Sequence, residues 1–408
     1  MFKQKTPPAV PFLVWVVMGS TLMACIGGWT LAGFNASGYA WMITSVFSFF
    51  ILLYNLKKIT FPFYLWVPWI IYVAVSFILT RAPNGLQRSF MLLCPVLVGL
   101  AVGSYSVTES QLKHFRKLIQ LLAVLLLILI ALKSGLLLTG ELPAFGVSAA
   151  VAITSSLLAS FFAASYVFNA KKALFYWILI QVLSIIALVR MPMLATAITL
   201  PFTLSPVDLK KRTWIAMVIV VVGLILFYTP RMQERMFFSG EGELGDLTFE
   251  NPELRDTGRR FIWDIMTYEI SKRPWLGHGS NASEGLVLSI TGYSLRHPHN
   301  DWLRLQYDYG YIGMGIFILC MLAQVVHAFI MARKSSGESR ILFYACASSF
   351  IPFSLIMFTD NIILYAAFFG NLQFTMLGLA YSIQRRMRAG QPITATRFFP
   401  KRKSPVAY

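Results

Sequence analysis

Between Arg296 and Gly310 the chain gathers two histidines (His297, His299), the amide of Asn300, two carboxylates (Asp301, Asp308) and two further cations (Arg296, Arg304). They lie where a long polar stretch re-enters an apolar run. Ionisable groups at the mouth of a membrane segment are costly to hold, so such a cluster reads first as a functional site and second as a solvated loop end. Histidine titrates near neutrality and suits proton transfer. A second group lies upstream, where Gly258 precedes Arg259 and Arg260. Phe261, Ile262, Ile265, Met266 and Ile270 follow at helical spacing, and Pro274 closes the stretch. The two arginines then fall in the first turn of an amphipathic helix, where free amides, the helix dipole and guanidinium groups favour a phosphate. The alternative is that they are solvated or pair with Glu253 and Asp256. Asn251-Pro252-Glu253 has the residue order of an earlier helix start. Arg190, beside Met191-Pro192 at the end of an apolar run, either reaches out to headgroups or lines a cavity that takes an anion. Asp360, in the break between the last two apolar runs, is placed to pair with Arg190 or to orient a substrate. His278 sits in a glycine-rich turn. The acidic stretch Glu241, Glu243, Asp246 and Glu250 reads as a mobile solvated segment without the aspartate spacing of a calcium loop.

The elements that must position these residues are membrane elements. Of 408 residues 57% are hydrophobic and 13% charged, and the mean hydropathy is +0.65. That excludes a soluble enzyme, and the net charge of +18 is better explained by cytoplasmic loops than by nucleic acid. Twelve apolar runs recur, near residues 10–31, 40–56, 61–79, 90–105, 118–138, 147–168, 173–189, 193–204, 213–228, 311–331, 341–358 and 362–383. Placing the N-terminus inside puts 22 basic residues on inner segments and four on the short outer connections. The spacing therefore predicts an all-α polytopic membrane protein of about twelve transmembrane helices, both termini cytoplasmic, with one large periplasmic loop containing helices. Its parts are 1–229 (helices 1–9), 230–302 (loop), 303–384 (helices 10–12) and 385–408 (a basic cytoplasmic tail). The first run, preceded by Lys3 and Lys5, is expected to be an uncleaved span rather than a signal peptide. Gly140-Glu141-Leu142-Pro143 reads as a turn. Cys25, Cys94, Cys320 and Cys346 lie in apolar runs without metal spacing, so no metal site and no disulfide framework is expected.

Three stretches together resemble the O-antigen ligase and O-antigen polymerase superfamily of bacterial envelope glycosyltransferases. They are Leu188-Val189-Arg190-Met191-Pro192; Gly258-Arg259-Arg260-Phe261-Ile262-Trp263 continuing to Arg273-Pro274-Trp275-Leu276-Gly277-His278-Gly279; and His297-Pro298-His299-Asn300-Asp301-Trp302-Leu303 through Gly310 and Gly313. Pro192 departs from the family pattern, in which small residues follow the arginine. The resemblance implies a metal-independent inverting transfer with no cofactor. The donor is an undecaprenyl-pyrophosphate-linked glycan, and the acceptor is a sugar hydroxyl of lipid A–core in a ligase or another lipid-linked repeat in a polymerase. Membrane lipids are the other partner, and no nucleic acid is expected. Such chemistry needs a base, for which His299 is the first candidate and His297 the second, with Asn300 or Asp301 fixing tautomer or orientation. It needs cations on the departing pyrophosphate, for which Arg190 and Arg259 come first and Arg260 and Arg296 next. A length near 400 and one dominant outer loop favour the ligase over the polymerase. A transporter of lipid-linked glycan is the competing class. No internal repeat is evident, and the ionisable residues group at one face rather than at the midplane. A sensor or scaffold would need a larger outer domain.

Overall fold

Each of the twelve apolar runs overlaps one helix. The computed structural model describes residues 10–27, 30–32, 34–80, 82–133, 145–248, 251–256 and 258–383. Lys3, Lys5, Glu250, the turn at 140–143 and the tail at 385–408 lie outside them. The helices are α1 (Phe12–Ile26), α2 (Ala36–Asn55), α3 (Val67–Leu79), α4 (Gly85–Gly103), α5 (Glu109–Lys133), α6 (Phe145–Ser165), α7 (Ala170–Ala187), α8 (Arg190–Ala197), α9 (Leu209–Phe227), α10 (Pro230–Met236), α11 (Arg259–Lys272), α12 (Ala282–Ile290), α13 (Asp301–Lys334), α14 (Gly337–Ile356) and α15 (Gly370–Ser382). A two-residue antiparallel pair, Thr30–Leu31 with Phe34–Asn35, joins α1 to α2.

The chain is a multi-pass membrane protein, and the described helices do not by themselves confirm twelve full crossings. Among the described residues six helices are long and apolar enough to cross a membrane. A seventh is added if α9 and α10, bent by 81° at their junction, count as one broken span. α8 has eight residues and α15 has thirteen, which at ~1.5 Å per residue fall short of a ~30 Å hydrocarbon layer. The reasons are local. Beyond α8, Arg212 pins the carbonyls of Pro201, Ser205 and Val207 at 3.0, 2.6 and 3.1 Å, which holds the chain in turns. The last apolar run opens as turns around a short 3-10 segment, Ala366–Phe368, before α15 begins.

The core runs through α4, α15, α14 and α6, each packed on the next; α15 is buried along its whole length. α9 is the opposite case, apolar on all sides and buried only at Phe227. Helices uniform around their circumference suit hydrocarbon surroundings rather than a core facing water. The polar stretch 230–299 folds into α10, α11 and α12 with connecting turns, and Ile262, Met266, Ile270 and Val287 close a small apolar core against Tyr307 of α13. α11 starts after Gly258 as its spacing predicts. Asn251-Pro252-Glu253 does not begin a helix: the Asn251 side chain accepts from Glu253 N–H at 3.0 Å, forming a tight turn instead. Within the acidic stretch, Glu243 and Asp246 cap each other reciprocally.

Candidate active site

α13 begins inside the polar cluster because Asn300 caps it, its side-chain oxygen accepting from Leu303 N–H at 3.0 Å. The helix breaks at Gly310 (φ 66°, ψ −176°), a conformation open almost only to glycine. A break frees backbone groups that must find partners where water is scarce. The segment 274–279 supplies them. His278 and Gly279 N–H donate to the Tyr307 and Asp308 carbonyls at 2.9 and 2.8 Å, and Tyr311 and Ile312 N–H donate to those of Pro274 and Trp275 at 2.7 and 3.2 Å. The Tyr72 hydroxyl donates to the Tyr309 carbonyl at 2.8 Å. At the crossing a Cβ on Gly277 (φ 71°) would meet the Gly310 nitrogen, and one on Gly310 would meet the Trp275 carbonyl. Gly310→Ala or Gly277→Ala should therefore cost about 3 kcal/mol or more, from strain plus overlap. A thermal midpoint in detergent unchanged from the parent would contradict the crossing.

His299 has φ 51°, in the left-handed region that side chains other than glycine seldom enter. The ring meets the turn joining α14 to α15, with Nδ1 3.4 Å from Asp360 Oδ1 and 3.3 Å from the Asn361 side-chain nitrogen. A carboxylate only accepts, so contact with Asp360 puts the proton on Nδ1 and leaves Nε2 with its lone pair. Turning the Asn361 amide so that its oxygen faces the ring serves the same tautomer. The side chain of His299 is 30% exposed and that of Asp360 13%, so the imidazole is partly open to its surroundings while the carboxylate is largely shielded. Trp263 fixes the strand from the other side, donating from Nε1 to the Pro298 carbonyl at 2.7 Å.

Two arginines close the site. Arg259, first residue of α11, donates from Nη1 to the Thr359 carbonyl at 2.7 Å, beside Asp360. Its buried Nε has no hydrogen-bond partner. Arg190, first residue of α8, donates from Nη2 to the Arg255 carbonyl at 2.7 Å and lays Nη1 on Met236 Sδ at 3.7 Å. Pro192 fits here because the first turn of a helix has no use for its missing N–H. Burial pulls the Arg190 guanidinium below its ordinary value, and the charges of Arg259 and Arg235 add to this against Asp256. Burial does the same to Arg259, opposed by Asp360 and Asp256. An arginine stays cationic through such shifts, and mutual repulsion of half-buried cations is what a bound anion relieves.

His297 sits deeper. Burial, with the charges of Arg304, Arg88, His299 and Arg296 behind it, pushes its pKa down to about 2. Its folded value thus lies below the ordinary value of about 6.5. Its contribution to stability is present above about pH 6.5 and is lost as pH falls from there towards the folded value. The thermal midpoint should drop between pH 7.5 and 5.5, and His297→Asn should flatten that slope; an equal slope in both proteins would refute the assignment.

The structure thus brings together five of the residues singled out from sequence: Arg190, Arg259, His297, His299 and Asp360. Arg260 and Arg296 are exposed, the latter still within charge range of His297. Asn300 and Asp301 are buried and bonded to backbone. His278 stacks on Tyr307, ring centroids 4.2 Å apart, and serves the scaffold. Asn361 and Tyr365 were not anticipated. Asn361 follows Asp360 directly, so its neighbour was a signal. Tyr365, whose phenol burial pushes up and which interacts with Asp360 and Arg259, carried none. Among the described residues no group of three or more His, Cys, Asp or Glu is placed to hold a metal ion.

Residues 173–318 match the family model described as O-antigen ligase. The matched segment includes Arg190, Arg259 and the 296–301 cluster and stops short of Asp360. A search of curated proteins found no match.

Proposed function

We propose, from the family match at residues 173–318, which supports the O-antigen ligase and polymerase superfamily for this chain, that it is an O-antigen ligase. It transfers a glycan from undecaprenyl pyrophosphate to a sugar hydroxyl of lipid A–core at the periplasmic face of the inner membrane. The observation that carries the reading is the convergence of the His299–Asp360 pair with Arg259 and Arg190, from four separate segments. His299 Nε2 takes the proton of the acceptor hydroxyl as its oxygen bonds to the anomeric carbon. The bond from that carbon to the phosphate oxygen breaks on the opposite face, giving inversion, and the electron pair leaves with the pyrophosphate. Asp360 holds the imidazolium that forms. Arg259 and Arg190 offset the charge that grows on the leaving group, with Arg260 and Arg296 at the rim. The apolar helices supply the surface for the lipid tail. The distribution of basic residues supports both termini in the cytoplasm and the 230–302 segment outside.

The test is reconstitution of purified protein with undecaprenyl-pyrophosphate glycan and lipid A–core in EDTA. A shifted lipid A–core band is the expected product. A ladder of longer undecaprenyl-linked chains instead makes the protein a polymerase of the same superfamily. Both substrates left unchanged overturns the transferase reading and turns attention to movement of lipid-linked glycan across vesicles.

A further inference from the structure

The proposed reaction joins His299 to a carboxylate 61 residues away in the chain. Three hydrogen bonds hold the turn bearing that carboxylate, and a fourth holds the last turn of α14 that leads into it. Asp301 N–H donates to the Met357 carbonyl at 2.7 Å, and Ile363 N–H donates to Asp301 Oδ2 at 2.7 Å, so one residue grips the turn on both sides of Asp360. Trp302 Nε1 adds a bond to the Ser354 carbonyl at 3.1 Å, and Arg259 adds one to Thr359 at 2.7 Å. Asp301 itself is 0% exposed, which places it out of reach of a substrate. A buried carboxylate is costly unless it is paired. Arg304 Nη1 lies 3.7 Å from Asp301 Oδ1, and Arg304 Nε lies 3.5 Å from Asp308 Oδ2. Asp308 in turn accepts from Ser283 N–H at 2.8 Å and Asn281 N–H at 3.3 Å, at the start of α12. One buried side of the first half of α13 thus carries carboxylate, guanidinium and carboxylate. Each carboxylate seizes backbone amides of a segment remote in sequence.

We infer that Asp301 is a positioning residue for the transfer reaction, acting through the 357–363 turn to set the Asp360 carboxylate against His299. The inference rests on the proposed roles of His299 and Asp360. An apolar residue of similar volume fills the space but leaves Ile363 N–H without its acceptor, and the turn is then free to move away from the imidazole.

The experiment is a mutant cycle in the reconstituted transfer assay, reading kcat and KM separately. Asp301→Leu should lower kcat by about 100-fold, the scale of a displacement near 1 Å at a reacting centre, and leave KM for both substrates within about threefold. Asp301→Asn, whose amide oxygen still accepts from Ile363 N–H, should recover most of the rate. The double variant Asp301→Leu with Asp360→Asn should be no slower than the slower single variant, since both act on one contact. Where the leucine variant does not accumulate, Asp301→Ala takes its place in the same cycle. Full additivity of the two losses, a loss confined to KM, or an unaffected kcat would overturn the inference. Asp360→Asn alone separates the two levels. Full rate in that variant defeats the reading of the His299–Asp360 pair, whereas a reduced rate with additive Asp301 effects defeats only the positioning role.

Discussion

His299→Ala should abolish glycan transfer in the reconstituted system while the protein accumulates and melts like the parent. A positioned base contributes typically ~10²–10⁴-fold, and in the proposed reaction the same nitrogen both removes the proton and faces the acceptor oxygen. The substitution removes little packing, because the ring is partly exposed and its polar contacts end on Asp360 and Asn361. His299→Gln keeps a polar side chain without an imidazole lone pair and should be as inactive as the alanine. His297→Asn, by contrast, should retain transfer, since burial and the surrounding cations hold His297 neutral. Near-parental transfer by His299→Ala, measured as the fraction of lipid A–core shifted on a gel, would sink the assignment of the base. Loss with His297→Asn and none with His299→Ala would exchange their roles.

Arg259→Ala should rank next, lowering kcat by roughly 10²–10³, the usual effect of removing one preorganised donor from a developing anion. Arg259 has two tasks. In the proposed reaction its charge faces the leaving group, and its Nη1 ties α11 to the turn at Thr359, one residue from Asp360. Lysine keeps the charge and loses the planar fork, so Arg259→Lys should recover only a small part of the activity. Arg190→Ala acts on the same anion from α8 and should lose a comparable factor, with the double variant falling short of the product of the two. The loss should appear mainly in kcat, because negative charge on the pyrophosphate is greatest as the bond breaks. Titration with inorganic pyrophosphate as competitor supplies an independent readout: its inhibition should weaken in each variant. Unchanged inhibition together with unchanged kcat would remove the two arginines from the site.

The sequence by itself determined a good deal. Apolar runs of membrane composition fold as helices, because a helix satisfies its own backbone polar groups wherever water is absent. Gly258 and Pro274 bounded α11, and its apolar spacing foretold the burial of Ile262, Met266 and Ile270. Arg190-Met191-Pro192 marked the neighbourhood of a break between helices; the break itself falls just before it, at Leu188 and Val189, and the three residues open α8. Each of these follows from preferences acting over a few residues. Other features were beyond that reach. Asp360 was seen as a polar break, with no sign that it meets His299 rather than Arg190. Asp301 was a candidate for fixing the histidine's tautomer or orientation by direct contact, and it holds the backbone of Ile363 instead. Gly310 lay in a recognised pattern, yet its purpose, a break in α13 crossed by the 274–279 segment, shows only when both segments are placed. Twelve apolar runs were counted as twelve crossings, and the helices α8 and α15, of eight and thirteen residues, do not by themselves confirm that count. Partner choice among apolar helices of similar composition is settled by shape at close approach. The pairing of a broken helix is settled by which remote amides and carbonyls can reach it. Neither quantity is written in the local order of residues, so the tertiary structure decided which of the candidate groups became neighbours.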